Sequence, residues 1–132
     1  MSQENVEIVR AFIDAFNRGD MDATFKDAAP DVEYDLSRAV GPFHGAYRGL
    51  DEVRRVVEEF AEPWESNRYE IEEFIEVGEH VVTPFKNYLR GRDGIEVQAR
   101  AAWVWTIHGG TITHVIFYQD RRQALEAAGL SE

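Results

Sequence analysis

The stretch from Ile95 to Gly129 constrains the chain most: IEVQARAAWVWTIHGG, then TITHVIFYQD, then RRQALEAAGL. Two runs rich in Val, Ile, Thr, Phe, Trp and Tyr flank Gly109-Gly110. Paired glycines accept the positive φ that a tight turn demands, so the stretch reads as strand, turn, strand and short helix. On the first strand Val97, Ala99, Ala101, Trp103, Trp105 and Ile107 share one all-apolar face, which is predicted to meet the core. The other row, Gln98, Arg100, Ala102, Val104 and Thr106, is mixed. Such a row is expected on a sheet back that is half covered, for example by a second subunit, so a homodimer through the outer face of the sheet is the expectation.

Upstream, Val6, Val9, Phe12, Ile13 and Phe16 recur at helical spacing and Gly19 follows, predicting an amphipathic helix over residues 3–18. Asp20 caps a second short helix with Met21, Phe25 and Ala28, which Pro30 is expected to end. A short strand spans Val32 to Leu36, and a loop with Gly41, Pro42, Gly45 and Gly49 follows. Asp51 and Glu52 open a third helix, from Leu50 to Glu62, where the helix dipole favours acids; Val53, Val56, Val57 and Phe60 form its stripe and Pro63 stops it. Tyr69, Ile71, Ile75 and Val77 then alternate with Glu70, Glu72 and Glu76, with Glu73 and Phe74 out of phase, which predicts a β-bulge near Glu73. Turns at Gly78-Glu79 and Asp93-Gly94 bound a strand from His80 to Arg90. Three helices, four antiparallel strands, a terminal helix and one early short strand make an α+β fold with helices on one face of a curved sheet.

Length and composition narrow the function. A chain of 132 residues without repeats is expected to form a single domain over 1–132. Its apolar runs fall short of the ~20 residues a membrane helix needs, and its N-terminus lacks the pattern of a signal peptide. A soluble, cytoplasmic protein is therefore expected. With no cysteine there is no disulfide and no thiolate metal site. A formal net charge of -11 argues against nucleic acid and anionic membrane as partners. The histidines lack metal-ligand spacing and no phosphate-cradling glycine loop occurs, so neither metal nor nucleotide cofactor is expected.

The segments AFNRGDMDA, DVEYD, GAYRGLDEVRRVVEEF, EEFIEVGEHVV and VWTIHGGTITHVIFYQDRRQALEAAGL together resemble the SnoaL-like, polyketide cyclase-like branch of the nuclear transport factor 2-like superfamily. The similarity covers nearly the whole chain. It implies a cone-shaped, cystatin-like roll, in which three N-terminal helices pack on a strongly curved, mostly antiparallel sheet and enclose an apolar pocket. Dimers through the back of the sheet are common in that superfamily. Its functions range from isomerases, cyclases, epoxide hydrolases and dehydratases to members that only bind, so the fold alone assigns none.

On this resemblance Asp35 matches the strand aspartate that shuttles protons in the ketosteroid isomerase branch, where apolar walls raise a carboxyl pKa. The other reading makes Asp35 a cap of the following loop. The isomerase's two oxyanion donors correspond to Phe12 and Trp103, and the Arg-x-Asp of the epoxide hydrolases to Ala99 and Ala101, so both of those reactions are disfavoured. The aspartate-histidine pair of SnoaL-like cyclases has counterparts in Asp35 or Asp120 with His44 or His114. His44 lies in the loop PFHGAYRG at the expected pocket mouth, as a proton shuttle or as a surface residue.

Tyr34 and Asp35 have opposite strand parity, so one of the two points inward. Asn87 shares parity with Thr83, Phe85 and Leu89 and reads as a ligand-orienting or core amide. Phe12, Phe16, Trp64 and Trp103 supply aromatic area for a flat pocket or for the core. On the last strand, Ile112, Ile116 and Tyr118 compete with Val115, Phe117 and Gln119 for the inside. Two functions follow. One is a cofactor-free acid-base isomerase, cyclase or hydratase acting on a small apolar or polycyclic carbonyl compound, with Asp35 and His44 catalytic. The other is a non-catalytic domain, binding a small apolar ligand or purely structural.

Overall fold

Pattern and turn chemistry place most elements where the chain has them. The computed structural model describes residues 2–39 and 42–130, so Gly41 of the predicted loop lies outside the described residues. In chain order the elements are α1 (Ser2–Asn17), α2 (Met21–Thr24), β1 (Ala28–Asp35), β2 (Ala46–Arg48), α3 (Leu50–Ala61) and β3 (Trp64–Ile71). They continue with β4 (Ile75–Val77), β5 (His80–Gly91), β6 (Glu96–His108), β7 (Thr111–Tyr118) and α4 (Arg121–Ala127). Gly109 and Gly110, at φ 58° and 81°, turn β6 into β7 as their sequence predicts.

Among the described residues the strands form one curved, unclosed sheet in the order β2-β1-β7-β6-β5-β3, with β4 beside β5. Every pairing is antiparallel except that of β1 with β7. Alternation along the strands then separates two faces. Ala101, Trp103, Trp105 and Ile107 of β6 join Val81, Phe85, Ile112 and Val115 of the neighbouring strands under Val9 and Ile13 of α1 and Val53 of α3. The long helices therefore cover the inner face, as an α+β cone requires.

The outer face is half covered, as its mixed row predicts, and part of the cover comes from the chain itself. Ala102 and Val104 are buried there with Val82 and Tyr118 beneath Ala124 and Leu125 of α4, the chain's own last helix. No second subunit is needed to explain their burial. Asp120 caps α4 by accepting the Gln123 N–H at 2.9 Å. At the other end of β6, Val97 is 43% exposed, and Ala99 is exposed too, because that arm of the β5–β6 hairpin extends past the covering helices.

Other departures have physical causes. Pro30 does not end α2, which stops at Thr24; it lies inside β1, where the register against β7 shifts between Ala28 and Glu33, the irregular setting that admits a proline to a strand. β2 forms in the glycine-containing loop, as a three-residue edge strand on β1. The bulge predicted near Glu73 is a full break between β3 and β4. Ile71 pairs with Phe85 and Ile75 with Val82, so one extra residue sits on this side. The break lies beside Pro84, whose carbonyl accepts the Glu72 N–H at 2.8 Å. Nitrogen and carbonyl of one extended residue point the same way, so the donor that proline lacks is missing on that edge.

Candidate functional site

The inner face of the sheet and the helices above it leave a cavity of about 330 Å³. Its walls follow from the inward rows: Phe85 and Leu89 on β5, Ala101, Trp103 and Trp105 on β6, and Val115 and Phe117 on β7. Phe12 and Phe16 of α1 and Val57 and Phe60 of α3 line the helical side. The rings are ordered against one another. Trp103 stacks on Phe85 at 3.9 Å and 25° and meets Tyr69 at 4.8 Å, while Phe12 sits edge-on to Trp105 at 5.0 Å. Planar surfaces in these arrangements suit a flat ring.

Into this apolar wall project a few neutral polar groups. The Trp103 Nε1–H donates to the Tyr34 hydroxyl at 3.0 Å. Asn87, 5% exposed, donates from Nδ2 to Asn67 Oδ1 at 2.7 Å and to the Arg68 carbonyl at 3.2 Å. The amide nitrogen of Asn67 is buried without a hydrogen-bond partner. Burial pushes the Tyr34 phenol up to about 12, with the Trp103 N–H working the other way. Burial raises Tyr69 further still; neighbouring Tyr34 adds to the rise and Asn67 opposes it. Both phenols therefore keep their protons at neutral pH and remain available as hydrogen-bond donors.

The sequence candidates divide cleanly. Phe12, Phe16, Tyr34, Asn87, Trp103 and Gln119 all line the cavity, and Phe117 of β7 with Gln119 just beyond its end, rather than Ile116 with Tyr118, is the inward pair. Gln119 also donates from Nε2 to the Arg38 carbonyl, tying the last strand to the loop at the mouth. Trp64 is brought elsewhere, to a shallow surface groove with Met21 and Arg92.

Asp35 is not part of the lining either. With Tyr34 and Leu36 directed to the cavity, alternation turns Asp35 to the outer side, where its Oδ1 accepts the Ser37 N–H at 2.9 Å and its Oδ2 faces Arg38 at 3.4 Å. Burial works to raise this carboxyl, but the Ser37 side-chain and backbone hydrogen bonds together with the Arg38 charge outweigh it and hold its pKa below the usual value. This is the loop-capping role. His44 is exposed, and its carbonyl accepts from the Tyr47 hydroxyl at 3.1 Å. Asp120 is the α4 cap and His114 contacts Thr113 at 3.1 Å; neither lines the cavity. Two neutral polar lining residues escaped sequence reasoning as site residues, Tyr69 and Asn67. The available signal was parity, since both share a row with Ile71 on β3.

Among the described residues no Asp, Glu, His or Lys lines the cavity. Its one charged neighbour, Arg100, directs its guanidinium to Glu72 at 2.9 Å. No group of three or more His, Cys, Asp or Glu among the described residues could hold a metal ion. Nor is any described helix long and apolar enough to cross a membrane.

Comparison with known proteins agrees with this architecture. A nuclear transport factor 2-like protein from Burkholderia thailandensis is 28% identical, with 95% of each chain covered and a TM-score of 0.76. TerC, co-crystallised with polyporic acid, superposes with a TM-score of 0.79 over 96% of this chain and 98% of its own at 21% identity. An uncharacterised cystatin-fold protein from Novosphingobium aromaticivorans gives a TM-score of 0.72 at 21% identity, covering 89% of this chain and 97% of its own. No curated protein matches significantly. The sequence model of one family matches residues 9–115, and by that match the chain belongs to the SnoaL-like domain family.

Proposed function

We propose that this SnoaL-like domain binds a small, flat, largely apolar ligand and performs no acid-base reaction with side chains of its own. The observation that carries the reading is the cavity lining, aromatic and aliphatic throughout, with neutral hydrogen-bonding groups and, among the described residues, no carboxylate or imidazole. A general base must come within hydrogen-bond reach of the proton it takes. Asp35 and His44, the two groups that could serve an isomerase, cyclase or hydratase, stand outside the lining, so the enzymatic reading loses its base. The purely structural reading loses support as well, because the side chains leave about 330 Å³ open, at the small end of the ~300–1,000 Å³ typical of ligand pockets. The likeness to TerC, co-crystallised with polyporic acid, is in keeping with an organic ligand.

The reading requires no cofactor. Self-association through the bare part of the outer sheet face, around Lys86, Tyr88 and Arg100, belongs to the same proposal; sedimentation showing a monomer at micromolar concentration refutes that part.

Two measurements test the function. Titration with fluorene or fluorenone, followed by quenching of tryptophan fluorescence, is expected to saturate at one site per chain; absence of saturation overturns binding. Incubation with 2-tetralone in deuterium oxide is expected to leave α-proton exchange at the uncatalysed rate. Accelerated exchange that Asp35→Asn abolishes would restore the acid-base reading.

A further inference from the structure

The polar groups of the cavity are unbalanced. The Tyr34 oxygen already accepts from Trp103 Nε1–H, and among the described residues nothing accepts the Tyr34 proton in turn. Tyr69, whose ring meets Trp103, lines the same cavity. The Asn67 Oδ1 is taken by Asn87. The Tyr34 O–H is thus a cavity donor that the described residues leave without an acceptor. A buried donor without an acceptor destabilises its surroundings, and a ligand oxygen that accepts from it relieves that cost.

We propose that Tyr34, backed by Trp103, forms a subsite for a ring carbonyl of the bound ligand. This rests on the binding reading and specifies the ligand's chemistry. The Trp103 N–H, by donating to the phenol oxygen, polarises the O–H bond and makes Tyr34 a better donor, as hydrogen-bonded chains do. Trp103 is held for this task by stacking on Phe85 at 3.9 Å. Tyr69, whose ring meets Trp103 at 4.8 Å, brings its own phenol proton to the same end of the cavity.

The unused Tyr34 donor also selects among oxygen ligands. A ketone or quinone oxygen only accepts, so it satisfies Tyr34 and adds no new demand. An alcohol or phenol of the same shape carries a further proton that needs an acceptor of its own. A carboxylate would enter an apolar cavity whose one charged neighbour, Arg100, is paired with Glu72, and the desolvation of the anion would go uncompensated. A neutral, planar ring carbonyl is the class that fits.

Fluorenone, fluorenol and fluorene share one ring shape and differ in this group, which makes them the probes. For the parent protein, fluorenone is expected to bind about 3- to 10-fold more tightly than fluorene, with fluorenol near the hydrocarbon. Tyr34→Phe should bring the fluorenone-to-fluorene ratio to within about twofold, and Trp103→Phe should reduce it partway. Asp35→Asn, outside the cavity, should leave the ratio unchanged. In the infrared, the carbonyl stretch of bound fluorenone is expected to fall below its value in an apolar solvent, with the shift lost in Tyr34→Phe. Equal affinity for fluorenone and fluorene, or a stretch unmoved by Tyr34→Phe, overturns the subsite while leaving binding intact. If none of the three compounds saturates the protein, the binding reading itself fails, and the subsite with it.

Discussion

The two faces of the sheet are made from alternate residues of the same strands, yet they are chemically opposite. On the inner face, Trp103, Trp105, Phe85 and Tyr69 surround a cavity whose polar groups are neutral. On the outer face, α4 seals one end with Ala124 and Leu125, and beyond it charged side chains pair with one another, as Arg100 does with Glu72. A strand alternates its neighbours between faces, so one step along β1 separates the phenol of Tyr34 from the carboxylate of Asp35. An acid one residue from the pocket in sequence can thus be excluded from its chemistry.

That contrast can be broken most severely from the inside. Trp105 is 1% exposed and donates to the Thr83 hydroxyl at 2.8 Å, so Trp105→Ala is expected to cost ~3–5 kcal/mol in urea unfolding and to abolish ligand binding. The outer seal offers the complementary test. Leu125→Ala should cost ~2–4 kcal/mol and leave fluorene affinity unchanged, because Leu125, on α4, packs against the outer face of the sheet and does not line the cavity. A parallel loss of binding would mean that the faces are not independent.

The smallest effect is expected at Asp35. With Arg38 about half exposed, Asp35→Asn should cost no more than ~1 kcal/mol at neutral pH. Its sign with pH follows from the lowered pKa: the contribution is complete above the unfolded-state value near ~4 and disappears as the pH falls through the lower folded value. Chemical denaturation of parent and variant from pH 7 to pH 2 should therefore show their difference shrinking only in the acid range. A stabilised variant would indicate a strained carboxylate and bring the catalytic reading back.

Much of the fold was legible because its signals are local. The Gly109-Gly110 turn, the helical stripes and the Asp20 and Asp120 caps each depend on residues a few positions apart. The features that escaped depend on remote partners. β2 is three residues long and is a strand only because β1 lies beside it; the parallel pairing of β1 with β7 has no turn to announce it. Of the candidate site, the aromatic wall was readable from hydrophobic rows. Asp35 could be read as a pocket acid or as a loop cap, because its short strand carries chemistry on both faces and residue type does not reveal which is inward. Asn67 and Tyr69 passed unmarked because their meaning comes from Asn87 and Tyr34 across the sheet.

The break at Pro84 bears on how copies of this protein behave when crowded. An open sheet offers its unpaired edge as a template on which other chains can add strands, the first step toward aggregates. Here one edge is the three-residue β2, and the other is divided into β3 and β4 where the ladder is interrupted. Neither presents a long unbroken row of free amides and carbonyls. A single proline in an interior strand thus interrupts the edge beside it and shortens the row open to a neighbour's backbone.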